Sequence, residues 1–323
     1  MPKWGDCQVI MLVVYLIGRQ LSSILILVEC YHRSCLINDE SYILSQWIAF
    51  HWLFWEVNMI RVMVNGAGGK MGREVVKAVH ADSELTLVGG IDPTKDGQDI
   101  GTVAGIEPLQ ITMAPSVDDV LGNNKPDVIV DFTNPAVIFE NAKKILSAGV
   151  HLVIGTTGLT EEQRNELHEI GLKNQANCLV APNFSLGAVM MMKVAADLAP
   201  YFPDVEIIEL HHNHKYDAPS GTSILTAKLI NDAKQAANVT SSEDLTRESL
   251  PGARGAKVDD ITIHSVRLPG YVAHQEVLFG GHDETLTIRH DSLSRLSFMP
   301  GVVLACKKIT SKPGLTYGLE HYL

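Results

Sequence analysis

The sequence predicts an α/β chain: a doubly wound parallel sheet followed by a second, α+β domain with a mixed or antiparallel sheet. Three observations predict it. From Met59 onward, short β-branched runs alternate with longer helical stretches, the order expected of parallel strands joined by right-handed crossovers. A glycine-rich turn, Gly66-Ala-Gly-Gly-Lys-Met-Gly72, lies between the first run and the first helix. After Ser185 the strands follow one another without a helix between each pair, and their residues alternate with a period of two.

In the first part, residues 60–64, 85–91, 127–131, 151–154 and 178–181 read as buried strands. Residues 70–79 form a helix, Asn134-Pro135 opens another towards Ala148, and Thr160-Glu-Glu-Gln163 is a capping box for a third. Beyond Ser185, residues 205–211, 261–266, 275–279 and 284–289 read as strands and 222–234 as a helix. The polar segment 236–260 reads as a long mobile loop, and 300–308 as an apolar helix returning to the first domain. Residues 59–185, completed by 296–323, are therefore expected to be a dinucleotide-binding domain of Rossmann type. Residues 186–295 are expected to be a second, substrate-binding domain.

The 323 residues, 46% hydrophobic, suffice for two domains with substantial cores. A net charge of −11 argues against nucleic acid as a partner, so any bound anion must be met by local positive charge. Five cysteines without a Cys-x-x-Cys pair fit neither a disulfide framework nor a zinc knuckle, and point to a reducing, cytoplasmic setting. All four tryptophans lie before Met59, so residues 1–58 read as an atypical N-terminal extension. Its apolar run 9–28 carries Arg19 and Gln20 at the middle, where charge is costly in a bilayer, which argues against a membrane span.

A strand feeding a glycine-rich turn and a helix offers unpaired N–H groups and a helix dipole to a pyrophosphate. Gly66, Ala67, Gly68, Gly69, Lys70, Met71 and Gly72 are the candidate contacts, although their spacing departs from the usual three-glycine fingerprint. Asp92 ends the next strand, twenty residues after Gly72, where a carboxylate is expected to bind the adenine ribose. An acid there favours NADH over NADPH, and Lys95 softens that preference. Gly155, Thr156 and Thr157 follow one later strand, and Ala181, Pro182, Asn183 and Phe184 the next, at the edge where ligands sit in open α/β sheets. Phe184 is expected to pack against a nicotinamide. Each segment has a bland alternative, a tight turn or an ordinary loop.

The second signal is 207–222, which places His211, His212, His214 and Lys215 just before Pro219-Ser-Gly-Thr222. The run lacks an acidic or cysteine ligand at familiar spacing and contains an ammonium, so no metal is expected. Ser220 or Thr222 starts a helix whose free N–H groups, with Gly221, can hold a carboxylate. With a titratable imidazole and an ammonium beside it, such a site can orient a small diacid and deliver a proton.

With these residues laid out, the chain from Met59 to Leu323 resembles the dihydrodipicolinate reductase family, also called 4-hydroxy-tetrahydrodipicolinate reductase. The resemblance rests on Glu209-Leu-His-His-Asn-His-Lys-Tyr-Asp-Ala-Pro-Ser-Gly-Thr222, Val130-Asp-Phe-Thr133, Ile154-Gly-Thr-Thr-Gly158 and Pro182-Asn-Phe-Ser185. Ile263-His-Ser-Val-Arg-Leu-Pro-Gly270 and His274-Gln-Glu-Val277 resemble cyanobacterial or plastid-type members, so a plastid is the alternative compartment. The resemblance implies an NAD(P)H-dependent reduction in lysine biosynthesis by a homotetramer assembled through the second sheet. It implies His211 and Lys215 as the proton-handling residues, with His212, Gly221 and Thr222 around the substrate carboxylates, beside Ser220 at the helix start. Two departures stand out: the extension 1–58, and Pro93 directly after the ribose-binding acid. A 2′-phosphate would have to be met by Lys95, Lys70 or Arg73, and both NADH and NADPH are expected to serve. On residues alone, another two-domain amino-acid or sugar dehydrogenase, or a redox-sensing NAD(P)-binding protein, remains open.

Overall fold

The computed structural model describes residues 59–122 and 125–323, with two short strands before them. Those strands, β1 (Met11–Val13) and β2 (Ile26–Val28), pair antiparallel. They belong to a unit, Met1–Val57, separate from the unit Asn58–Leu323 that holds everything below. The rest of the apolar run 9–28 falls outside the described residues.

The first sheet has the order β13-β7-β6-β5-β3-β4, every pair parallel. Its strands are β3 (Ile60–Asn65), β4 (Leu85–Ile91), β5 (Val128–Asp131), β6 (His151–Ile154), β7 (Cys178–Val180) and β13 (Leu315–Tyr317). Both faces are covered, which is why these strands read as unbroken apolar runs. Val62 and Val64 of β3 face Val75, Val76 and Val79 of α1 (Lys70–Ala81), together with Val302 and Ala305 of α7 (Met299–Lys308). Met63, between them, faces the opposite core of Ile138, Ile145 and Leu146 from α3 (Ile138–Ser147) and Leu167 from α4 (Glu161–Asn174). Each fully buried aliphatic side chain contributes roughly 1.5–3 kcal/mol. The capping box at Thr160 is formed, its hydroxyl accepting from the Gln163 N–H. The chain runs from β3 outward to β4 and returns to β5 on the other side, so the topological switch point opens at the carboxyl ends of β3 and β5.

The second sheet is mixed, in the order β12-β11-β8-β10-β9. Strands β8 (Asp204–His211) and β10 (Ile261–Arg267) are parallel, joined through α6 (Gly221–Ala236). Strands β11 (Ala273–Gly281), β12 (Glu284–Ser292) and β9 (Ala256–Val258) pair antiparallel to their neighbours. Val205, Ile207, Ile261, Ile263, Val277 and Phe279 close one face against α6 and α5 (Leu186–Leu198).

Helix α5, the short α2 (Ile100–Ala104), β9 and β13 are absent from the reading of the sequence. Segment 236–260, expected as a mobile loop, is tied to the sheet edge. Ser242 caps Asp204 with its N–H at 2.9 Å, Lys234 donates to Ser241 at 2.6 Å, Arg254 pairs with Glu206, and β9 lies within the segment. Polar composition misled here because the polar groups bond one another. No helix among the described residues is long and apolar enough to cross a membrane.

Candidate active site

At the switch point the glycines are required by contact. Gly66 has φ +79°, and a Cβ on it would lie 2.5 Å from the Phe132 carbonyl oxygen. A Cβ on Gly72 would lie 2.1 Å from the Gly66 carbonyl oxygen, and one on Gly68 would lie 2.6 Å from Asp92 Oδ2. Gly69 is the N-cap of α1 and brings no side chain, so first-turn N–H groups stay available to an anion. Ala67 is buried, Met71 packs on the core and Lys70 is exposed. Asp92 is fixed at the end of β4: the Gly68 N–H donates to Oδ2 at 3.0 Å, and Thr94 donates to Oδ1 from its N–H at 2.9 Å and its hydroxyl at 2.7 Å. Such a cradle fits a dinucleotide pyrophosphate, with Asp92 beside it for the ribose.

Gly155 leaves room for the Phe132 ring, which a Cβ would meet at 2.1 Å. Thr157 is exposed, whereas Thr156 is buried and donates its hydroxyl to Asp131 Oδ1 at 2.8 Å. Ala181 is buried, while Pro182 and Asn183 are half-buried. Phe184, expected as a nicotinamide platform, has its ring in the core against Phe132, centroids 5.7 Å apart, and is buried.

Reading the sequence missed Asp131 as a site residue. It is fully buried and joins three loops of the edge: Asn65 donates to Oδ2 at 2.7 Å, the Thr133 N–H and hydroxyl reach Oδ1 at 3.0 and 2.8 Å, and Thr156 completes the set. Burial raises its pKa against the lowering effect of those hydrogen bonds. The signal was available: an acid ending the otherwise apolar run Val128–Asp131 must find partners.

On the second domain, His211 ends β8, with its Nδ1 hydrogen-bonded to Glu209. Glu209 is fully buried and bidentate to Arg267, at 2.8 and 2.7 Å. Burial by itself would raise the Glu209 pKa; the bonds from His211, Arg267 and Ser265 outweigh it and hold the carboxyl down at about 2. His212 follows, half-buried, with Nδ1 buried and lacking a partner. Its pKa is lowered by burial first, then by the basic groups around it, His211, His214, Arg295 and Lys215. That cluster is the local positive field an anion needs in a chain of net negative charge. Lys215 Nζ rests on Asp217 Oδ1 at 2.7 Å, and the Gly221 N–H also reaches the Asp217 carboxylate. Thus Gly221, expected at a substrate carboxylate, and Lys215, expected to handle a proton, both hold one of the chain's own carboxylates. Ser220 is the N-cap of α6, its hydroxyl accepting from the Ser223 N–H at 3.2 Å. Among the described residues, no three His, Cys, Asp or Glu side chains are grouped to hold a metal ion.

The two halves meet. Asn183, from the β7 edge, donates its side-chain amide to Thr222 Oγ1 at 3.2 Å. Asn183, His211, Ser220, Thr222, His274 and His290 line one cavity.

Two family models match the chain, "Dihydrodipicolinate reductase, N-terminus" over residues 60–184 and "Dihydrodipicolinate reductase, C-terminus" over residues 187–323. The chain belongs to the dihydrodipicolinate reductase family. A 4-hydroxy-tetrahydrodipicolinate reductase of Dictyoglomus turgidum is 48% identical over 265 residues, 82% of this chain and 98% of the relative. One from the cyanobacterium Synechococcus elongatus is 46% identical over 271 residues, again 82% and 98%. A solved dihydrodipicolinate reductase of Paenisporosarcina sp. TG-14, described as dipicolinate-bound, is 43% identical and superposes with a TM-score of 0.72, over 82% of this chain and 100% of that one. The family assignment thus takes in both sheets, the glycine cradle and the whole His-His-x-His-Lys segment.

Proposed function

We propose that the chain reduces 4-hydroxy-tetrahydrodipicolinate to tetrahydrodipicolinate with release of water, in L-lysine biosynthesis through diaminopimelate, by the residues named below. The activity is that of its family, an NAD(P)H-dependent oxidoreductase. The observation that carries the residue assignment is the cavity shared by Asn183 of the nucleotide edge with His211, Ser220 and Thr222.

Residues 59–185 with 296–323 hold the dinucleotide: Gly66 to Gly72 at the pyrophosphate, Asp92 at the ribose, and Gly155 to Thr157 with Ala181 to Phe184 along the nicotinamide side. The cofactor supplies a hydride when bound. Lys95, whose Cγ lies where a Cβ on Gly68 would meet it at 2.8 Å, is placed to temper the repulsion between Asp92 and a 2′-phosphate, so NADH and NADPH both serve.

Residues 186–295 hold the dicarboxylate. His212 and the α6 start, from Ser220 to Thr222, clamp its carboxylates, and Lys215 turns from Asp217 to the substrate as the anion arrives. His211 and Lys215 then stand at the ring face where a proton is needed, and positioning in a pre-charged site does most of the catalytic work. The sheet face turned away from α5 and α6 carries Ile208 and Leu278 among the ion pairs Arg254–Glu206, His264–Glu206 and Arg289–Glu276. Such a mixture of apolar and complementary charged groups suits a homotetramer interface. The compartment is cytoplasmic, or a plastid in a photosynthetic eukaryote.

The test is a substrate panel with the full chain, following nicotinamide absorbance. Oxidation of NADH and NADPH with freshly generated 4-hydroxy-tetrahydrodipicolinate, and none with sugars or amino acids, is expected. Nucleotide binding without turnover of any substrate would instead fit a redox-sensing role.

A further inference from the structure

We infer that Glu209 is a positioning residue for both proton-handling groups, acting directly on His211 and, through Arg267, on the loop that carries Lys215. The inference rests on the roles proposed for His211 and Lys215 and adds the device that aims them. Glu209 stands two residues before His211 on β8, on the same face, with 0% of its surface exposed. Both its oxygens are engaged by Arg267, the residue paired with His211 in the parallel register of β8 and β10.

An ionised carboxylate can only accept hydrogen bonds, so the His211 nitrogen facing it, Nδ1, carries the proton. That leaves Nε2 as the ring atom for the substrate cavity, in one tautomer and one ring orientation. Beyond Glu209, Arg267 donates from Nη1 to the Val266 carbonyl oxygen at 2.8 Å and reaches the loop from Nη2, which donates to the Asp217 carbonyl oxygen at 2.7 Å; the Asp217 carboxylate takes Lys215 Nζ at 2.7 Å. One buried charge therefore fixes the imidazole through one bond and the lysine loop through a chain of three. A purely structural role is poorly served by such an arrangement, since well-packed apolar residues stabilise a core as well as a buried ion pair does. The carboxylate stands where it can restrain a reacting group instead.

The test is a double-mutant cycle in the full chain: Glu209→Gln, His211→Gln and the pair, with kcat, KM for NADH and NADH affinity measured for each. Because a misaimed group costs up to about 10²-fold, each single variant should lose about 10–10²-fold in kcat at unchanged NADH affinity. The pair should lose clearly less than the product of the two single losses, because the part of the Glu209 effect that runs through His211 is already gone in His211→Gln and only the part that runs through Arg267 to the lysine loop remains to be lost. Wild-type turnover in Glu209→Gln beside a crippled His211→Gln, or losses that multiply in the pair, overturns the inference. Wild-type turnover in His211→Gln removes that residue from the proposed chemistry, and the inference with it. Should Glu209→Gln fail to fold, Arg267→Lys keeps the counter-charge and loses the fork. Its kcat loss should then fail to multiply with that of Lys215→Ala, and multiplication would overturn the link to the loop.

Discussion

The Asn183 side-chain amide donates to the Thr222 hydroxyl at 3.2 Å, joining the edge proposed for the cofactor to the helix start proposed for the substrate. Ordering one side of that bridge orders part of the other, so the two ligands should assist each other's binding.

Dipicolinate, titrated calorimetrically with and without NADH, should bind about 5-fold or more tightly when the nucleotide is present, the lower range of ordinary coupling energies. In Asn183→Ala that enhancement should shrink towards none. An undiminished enhancement in the variant would mean that coupling runs elsewhere.

Asp92 is held by Gly68 and Thr94 with its carboxylate at the end of β4. Asp92→Ala should weaken NADH by about tenfold, the loss of a charge-assisted hydrogen bond, and NADPH by much less, because the same change removes repulsion from the 2′-phosphate. Dissociation constants for the two nucleotides decide it, and equal losses would contradict the ribose role.

Asp131→Ala should strand Asn65, Thr133 and Thr156 in a buried setting, at about 1–3 kcal/mol for each unsatisfied group, less than additively. A lower denaturation midpoint together with weaker NADH binding is expected, since the loop at Thr156 loses its anchor. Weakened stability with unchanged NADH binding would confine Asp131 to the core.

Glu209 sets an acid limit on stability. Its folded pKa, about 2, lies below the ordinary 4.5, so its contribution is fully present above about pH 4.5 and is lost as pH falls from there through 2. Wild-type melting temperature should therefore drop across that window more steeply than that of Glu209→Gln, which lacks the titrating group. Parallel profiles would show that Glu209 carries no such linkage.

Much of the fold was legible because both faces of the first sheet are buried, leaving apolar runs such as Val128–Asp131 punctuated by glycine turns and caps. Helix α5 was not legible for the converse reason. Its Met-Met-Met run shows no helical period because Val189 and Met192 enter the first core while Met191 and Ala195 enter that of the second sheet. Strand β13 is three residues long and takes its strand character from pairing with β7. In the site, the glycine cradle, Asp92 and the histidine segment stood out by composition and spacing. Asp131, Glu209 and Arg267 did not, because their importance lies in who meets whom across 25 to 66 residues of chain. The clue for both acids was a carboxylate inside an apolar strand, a placement tolerable only with buried partners.

The role proposed for Lys215, on the second domain, is to serve the reaction at a nicotinamide held by the first. It is tested most directly by turnover of the full chain on freshly generated 4-hydroxy-tetrahydrodipicolinate, followed at the nicotinamide absorbance band, in wild type and Lys215→Ala. A fall in kcat of about 10²–10⁴-fold with NADH affinity unchanged is expected; turnover close to wild type in the variant would remove Lys215 from the reaction.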